Sequence, residues 1–285
     1  MLRRMIMREF EEYLNQKVNE FSKHRTKDAM AYSLMNGGKR IRPRLLFATL
    51  EAYGLDPKLG FPSACALEMV HTYSLIHDDL PAMDNDTLRR GKPTCHIEFD
   101  EATAILAGDG LLTRAFDVIL ESKCSDAQKI QLISYLSQYA GVDGMIYGQE
   151  LDILSESNEN FTYDMLLDIE INKTSKLLTL PFLFAAILAS DYDSIETWIR
   201  IGTLVGIQFQ MLDDILDVTQ SESVLGKSTS DDINQKKTVV SYLGLEGAKK
   251  ECDRYAKEMY DCLHSLPLQT QPIEEIFSYL LKRTY

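Results

Sequence analysis

Apolar residues recur at the three-to-four-residue spacing of an α-helix along almost the whole chain, and β-type alternation over five or more residues is nearly absent. This predicts an all-α protein. Helical stretches are expected over 6–22, 26–35, 41–53, 62–79, 98–121, 126–139, 141–154, 162–172, 173–189, 194–217, 241–263 and 271–283. Turn-forming residues fit these limits: Gly37-Gly38, Asp56-Pro57, Gly60-Phe61-Pro62, Gly91-Lys92-Pro93 and the polar stretch from Thr219 to Lys237. No break is long enough or rich enough in proline and serine to be an interdomain linker, so one helical domain over 1–285 is expected.

Two of these runs end in clustered carboxylates, His77-Asp78-Asp79-Leu80-Pro81-Ala82-Met83-Asp84 and Asp213-Asp214-Ile215-Leu216-Asp217. A carboxylate embedded in apolar sequence must be paired, solvated or bound to metal, because an isolated buried charge is too costly to keep. Two such clusters imply a shared site for a polyvalent cation. Hard oxygen ligands select Mg²⁺, which is usually held by a few carboxylates and completes its shell with water and phosphate oxygens. A diphosphate-binding cavity follows. On the first helix His71, Ser74 and Asp78 share a face, and on the second Gln210, Asp213, Asp214 and Asp217 do so. Pro81 forces the chain out of the helix, and that turn is expected to bring Asp84 back towards Asp78.

The net charge of −13 argues against nucleic acid or an anionic membrane as the main partner, so an acidic ligand would need local basic groups and metal. Gly37-Gly38-Lys39-Arg40-Ile41-Arg42-Pro43 supplies a loop at a helix start, where free N–H groups attract phosphate and Lys39 and Arg42 add charge. Arg89-Arg90-Gly91-Lys92 follows the first acidic cluster, and guanidinium forks suit phosphate. Lys173-Thr174, Lys227 and Lys236-Lys237 are weaker candidates of the same kind. The five cysteines are scattered, without metal-ligand spacing, and are expected to be free thiols in a reducing cytosol. No signal peptide is apparent, and the longest apolar runs, such as 177–189, are expected to be too short to span a bilayer.

Residues His71 to Asp84, followed by Leu88-Arg89-Arg90-Gly91-Lys92-Pro93-Thr94, resemble the first aspartate-rich motif of trans-polyprenyl diphosphate synthases, bacterial farnesyl diphosphate synthases above all. Gly37 to Pro43 is similar to that family's GGKRxRP loop, Gly148-Gln149-Glu150-Leu151-Asp152 to its GQxxD segment, and Phe209 to Asp217 to its second motif. The resemblance implies a single large helical bundle around a central cavity, of the isoprenoid synthase type. It also implies that Asp78, Asp84 and Asp213 ligate three Mg²⁺ ions on an allylic diphosphate, supported by Asp79, Asp214 and Asp217. Arg89, Lys173 and Lys227 would hold that diphosphate. Gly38, Lys39, Arg42, His71 and Arg90 would hold the diphosphate of isopentenyl diphosphate, with Thr174 and Gln210 near the reacting carbons. Two departures stand out: Asp84-Asn85-Asp86-Thr87 has one outer carboxylate fewer than many relatives, and Lys173-Thr174-Ser175 replaces the usual KTG, making the backbone less permissive there. A cytoplasmic homodimer, without nucleic acid or stable membrane insertion, completes the expectation.

The implied reaction ionises an allylic diphosphate, condenses the cation with isopentenyl diphosphate, and eliminates a proton. Tyr73 and Ser74 lie five and four residues before Asp78, roughly 6–8 Å down the helix axis at about 1.5 Å per residue. There Tyr73 would act as a floor and favour farnesyl over geranylgeranyl diphosphate, the alternative product. A terpene cyclase would need one diphosphate site, without the second basic set. A non-catalytic partner subunit would be expected to have lost an aspartate motif, and an HD-type phosphohydrolase would need more well-placed histidines than the chain has.

Overall fold

The computed structural model describes residues 2–225 and 237–281. In chain order the helices are α1 Leu2–Asn19, α2 Arg25–Leu34, α3 Ile41–Ala52, α4 Phe61–Asp78, α5 Cys95–Glu98, α6 Glu101–Ile119, α7 Asp126–Ala140, α8 Met145–Glu156, α9 Tyr163–Ile169, α10 Lys176–Leu188, α11 Ile195–Leu225, α12 Val239–His264 and α13 Gln271–Leu281. The fold is all-α, as the periodicity predicts. Among the described residues the only sheet is a hairpin of two-residue strands, β1 Leu88–Arg89 and β2 Lys92–Pro93, paired antiparallel with Arg89 opposite Lys92. Its turn, Arg90-Gly91, has φ of 54° and 77°. Positive φ at both central residues matches the right-handed twist of the strands, and glycine takes the second place without strain.

Contacts divide the chain into two compact units, residues 1–136 with 184–191 and residues 137–183 with 192–285. In the first, α4 is buried along nearly its whole length and packs on α6. Gly108 makes this approach possible: a Cβ there would lie 2.1 Å from the His77 imidazole. Phe10, Phe47 and Phe61 form a mutually packed aromatic cluster with centroids 5.4–5.7 Å apart. In the second unit, Trp198 stacks on Phe182 at 5.3 Å. Gly202 and Gly206 of α11, one turn apart, let its backbone close on Thr179 and Ser175, where added Cβ atoms would meet Cα atoms at 2.5 and 2.4 Å.

Four differences from expectation have a physical reason in the structure. The helix expected from 98 starts at Glu101, because the Asp100 carboxylate accepts the Thr103 N–H at 2.7 Å and caps it, leaving Cys95–Glu98 as a separate turn. The break expected between 172 and 173 is a π-helical turn, Glu170–Ser175, that joins α9 to α10 without interruption. The second acidic cluster is not at a helix end: α11 continues to Leu225, since residues 218–225 include neither glycine nor proline to stop it. The apolar run around 177–189 belongs to a longer helical run, Tyr163–Leu188, of 26 residues. By length and composition this run could cross a bilayer, but 67% of its apolar window is buried inside the fold, as in a core helix.

Candidate active site

The first aspartate cluster sits where α4 ends. Beyond Asp79 the chain turns at Leu80-Pro81 and folds back, so that the Asp84 N–H donates to the Asp78 carbonyl at 2.8 Å. The expected return of Asp84 to Asp78 is therefore present, locked through the backbone. Asn85 takes the left-handed conformation at φ 55°, a role asparagine tolerates better than most residues, and its N–H donates to the Leu80 carbonyl. Asp78 is half-buried and Asp84 exposed. Asp79 is turned inward, 3% exposed, and its carboxylate accepts from Arg89 Nε at 2.8 and 2.9 Å and from Nη2. A buried carboxylate thus holds one of the two hairpin arginines. Asn36 and Tyr32 of the α2 region donate to the carbonyls of Arg89 and Pro93, fixing the hairpin itself.

Basic groups gather in the same unit. The Arg90 guanidinium lies against Gly38, where a Cβ would stand 2.8 Å from Nη1, and it donates to the Gly37 carbonyl. Gly38 has φ 125°, so the loop needs glycine for its backbone as well as for this close approach. Burial, opposed in part by the Glu68 charge and reinforced by Arg90, lowers the pKa of Arg42 to about 10, and its Nε is buried without a hydrogen-bond partner. Burial and the charges of Arg42, Arg90, Arg89 and Arg40 hold His71 well below its ordinary value, which makes it a neutral imidazole at neutral pH. Cations that repel one another, with an unsatisfied buried donor among them, form a site suited to an anion. Lys39 is exposed on the same loop.

Farther down α4, Tyr73 is 5% exposed, its hydroxyl is buried without a partner, and its ring meets His77 edge-on at 5.8 Å. Ser74 points its hydroxyl back to the His71 carbonyl at 3.0 Å, so it is satisfied within its own helix.

In the second unit the π turn carries Lys173 and Thr174. Such turns widen a helix by one residue and often occur at functional sites. Gly148 of α8 lies directly on it: a Cβ would be 2.1 Å from the Lys173 nitrogen. Lys173 donates to Asp152, the aspartate of the same GQxxD segment. Ser175, the departure from glycine, is not in a left-handed conformation and donates to the Glu170 carbonyl at 3.1 Å, so the serine supports the turn it was expected to stiffen. On α11, Asp213 and Asp214 are half-buried and Asp217 exposed. Asp214 accepts the Val239 N–H at the start of α12 at 3.0 Å and a hydrogen bond from Gln210. Burial, with Asp217 and Asp213 adding to it against those two hydrogen bonds, raises Asp214 to about 6. Lys237 is committed elsewhere: it donates to the carbonyls of Ser155 and Asn158, where it caps the end of α8. Lys227 and Lys236 lie outside the described residues.

Sequence reasoning did not single out four residues that the structure makes prominent. Arg40 and Glu68 form a buried ion pair at 2.7 Å, Asp152 holds Lys173, and Glu170 is 2% exposed with neither carboxylate oxygen hydrogen-bonded. Glu68 was legible: it is the one acid in the apolar stretch 61–70, and the same cost of an isolated charge demands a partner for it.

Among the described residues no group of three or more His, Cys, Asp or Glu side chains is arranged to hold a metal ion. The donors present still fit Mg²⁺: they are carboxylates, partly exposed, held one or two at a time, and Mg²⁺ takes the rest of its octahedron from water and substrate phosphates.

The Polyprenyl synthetase family model matches residues 23–280. A farnesyl diphosphate synthase of Micrococcus luteus is 46% identical over 261 residues, covering 91% of this chain and 89% of its own. A geranylgeranyl diphosphate synthase of Cyanophora paradoxa is 40% identical over 260 residues, covering 90% and 87%. Among solved structures, a geranyltransferase from Helicobacter pylori complexed with magnesium and isoprenyl diphosphate superposes with a TM-score of 0.79 at 32% identity, covering 97% of this chain and 95% of that one. With its motifs, its all-α fold and these likenesses in agreement, the chain belongs to the polyprenyl synthetase family.

Proposed function

We propose that this chain is a prenyltransferase that joins isopentenyl diphosphate to dimethylallyl and then geranyl diphosphate, releasing farnesyl diphosphate. The observation that carries this reading is the pairing, in one unit, of a carboxylate turn suited to a metal with a separate basic pocket suited to a metal-free anion. A terpene cyclase has no use for the second pocket, and a non-catalytic subunit has no need of both intact aspartate motifs. The farnesyl product is favoured over geranylgeranyl by the higher identity to the farnesyl enzyme, 46% against 40%, and by the buried Tyr73 beneath Asp78.

By resemblance, Asp78, Asp84 and Asp213 would hold Mg²⁺, three ions in all, with Asp79, Asp214 and Asp217 as supports. Bound Mg²⁺ supplies positive charge to the diphosphate that departs from the allylic carbon. Arg89, kept in place by Asp79, and Lys173, kept in place by Asp152, add directed donors for the same leaving group. Arg42, Arg90 and the neutral His71, with Lys39 on the loop, bind isopentenyl diphosphate by its diphosphate and so orient its double bond. The apolar wall of α4 below Asp78 excludes water that would otherwise quench the allylic cation. The last proton passes to the departed diphosphate as the new double bond forms. Both compact units serve one catalytic domain, a reading supported by the family match running through both. Homodimeric assembly and a cytoplasmic location rest on the resemblance.

The test is incubation of the purified chain with isopentenyl diphosphate and each allylic starter, followed by chromatography. Mg²⁺-dependent farnesyl diphosphate is expected. No condensation with either starter would overturn the reading, and geranylgeranyl diphosphate as main product would transfer it to the alternative.

A further inference from the structure

Arg40 stands in the middle of the basic loop, yet its side chain turns into the protein. It is 5% exposed, and its guanidinium makes four hydrogen bonds to three separate elements. Nε and Nη2 donate to Glu11 of α1 at 2.8 and 3.2 Å, Nη1 donates to Glu68 of α4 at 2.7 Å, and Nη2 also donates to the Leu34 carbonyl at the end of α2 at 2.9 Å. Its backbone is left-handed, with φ 48° and ψ 47°, an unfavourable conformation for a residue with a side chain unless its surroundings impose it. Arg40 also serves as N-cap of α3 without any side-chain cap bond. Its side chain therefore does not secure the helix start; it ties the loop to three helices.

The residues on either side are those of the anion pocket. Gly38 and Lys39 precede Arg40, Arg42 follows it, and Arg90 rests on Gly38 and donates to Gly37. A shift of the loop by a fraction of an ångström would move all of these donors together. Glu68 lies three residues before His71 on the same helix face, so one buried pair references both walls of the pocket to each other.

We infer that Arg40, seated on Glu68 and Glu11, is a positioning residue that sets the loop geometry by which isopentenyl diphosphate is bound, without itself touching that substrate. This rests on the function proposed above. Exchanging Arg40 for lysine keeps the charge but loses the fork, since the three N–H bonds of one ammonium cannot serve four acceptor oxygens spread over three helices.

The test uses the full chain carrying Arg40→Lys and, because a lone Glu68 charge would destabilise the fold, the double variant Arg40→Met with Glu68→Leu, in which apolar groups of similar size replace the buried pair. Melting temperature, steady-state kinetics with each substrate varied, and isopentenyl diphosphate binding in EDTA are measured on each. Removing the Glu68 charge would by itself tighten an anion. In the double variant, a near-wild-type melting temperature with KM and Kd for isopentenyl diphosphate raised about tenfold or more, and KM for geranyl diphosphate within about twofold of wild type, would support the inference. Arg40→Lys should fall between this variant and wild type. Isopentenyl diphosphate binding at or tighter than wild type in the folded double variant would overturn it, as would equal increases in both Michaelis constants. If wild type binds isopentenyl diphosphate but condenses nothing, the proposed function fails while the binding comparison still decides the role of Arg40.

Discussion

Gly148→Ala adds a single methyl group at the place where α8 meets the π turn. The new Cβ would stand 2.1 Å from the Lys173 nitrogen and 2.6 Å from both the Lys173 Cα and the Asn172 carbonyl carbon. All three are backbone atoms, so no side-chain rotation relieves the clash, and the turn or α8 must retreat by more than about 1 Å to reach van der Waals contact. Overpacking of this kind costs about 1–3 kcal/mol, or several degrees of melting temperature in a chain of this size. The larger effect is on catalysis. Lys173 is held by Asp152, which lies on the same helix as Gly148, so separating the two backbones pulls the ammonium from its seat. Misplacing a donor by about 1 Å costs roughly 100-fold in turnover. The assay is steady-state condensation of geranyl and isopentenyl diphosphates beside a thermal melt, with kcat expected to fall far more than stability does. Wild-type kcat with an unchanged melting temperature would show that the close approach does not constrain the π turn, and the reasoning would fail.

Asp78→Ala should lower condensation roughly 100-fold or more at saturating Mg²⁺ while far-ultraviolet circular dichroism stays helical, because it removes, from a half-buried helix end, the carboxylate proposed to hold metal; near-wild-type turnover would rule out the metal assignment. Arg42→Ala should raise KM for isopentenyl diphosphate more than KM for the allylic substrate, and equal rises would count against two anion sites. Tyr73→Ala should open space under the growing tail and shift chromatographed products to longer chains, whereas Tyr73→Phe, which removes only a hydroxyl without a partner, should leave product length alone and stability equal or higher. Burial, helped by the Asp214 charge, raises Glu170 from 4.5 to about 8. The unfolded chain ionises first, so the Glu170 contribution to stability is complete below about pH 4.5 and is lost as pH rises towards 8. Glu170→Gln should remove that loss, worth at most ~5 kcal/mol, so melting curves of variant and wild type should diverge in the variant's favour between about pH 5 and 8; parallel pH profiles would refute it.

Helical periodicity, the two carboxylate clusters and the basic loop were legible in the sequence because each depends on residues near one another along the chain. The spacing of apolar residues determines a helix, and a carboxylate inside an apolar run declares the need for a cation. The return of Asp84 to Asp78 was legible for the same reason, since Pro81 must end the helix and the turn is only a few residues long. Which charge meets which was not legible. Asp79 is turned inward onto Arg89, Asp214 caps α12 through Val239, Lys173 is held by Asp152, and Lys237 is spent on the end of α8. These partners are brought together by packing over 10 to more than 70 residues of chain, and local spacing carries no information about them. The π turn is likewise a tertiary product: Gly148, Gly202 and Gly206 let α8 and α11 close on residues 170–179, while the sequence there shows only two helical runs meeting between 172 and 173. Sequence alone thus determined the kind of chemistry, because residue type sets what a group can bind. Tertiary structure decided which of those groups face a ligand and which hold the others in place, because only packing determines the neighbours that satisfy each charge.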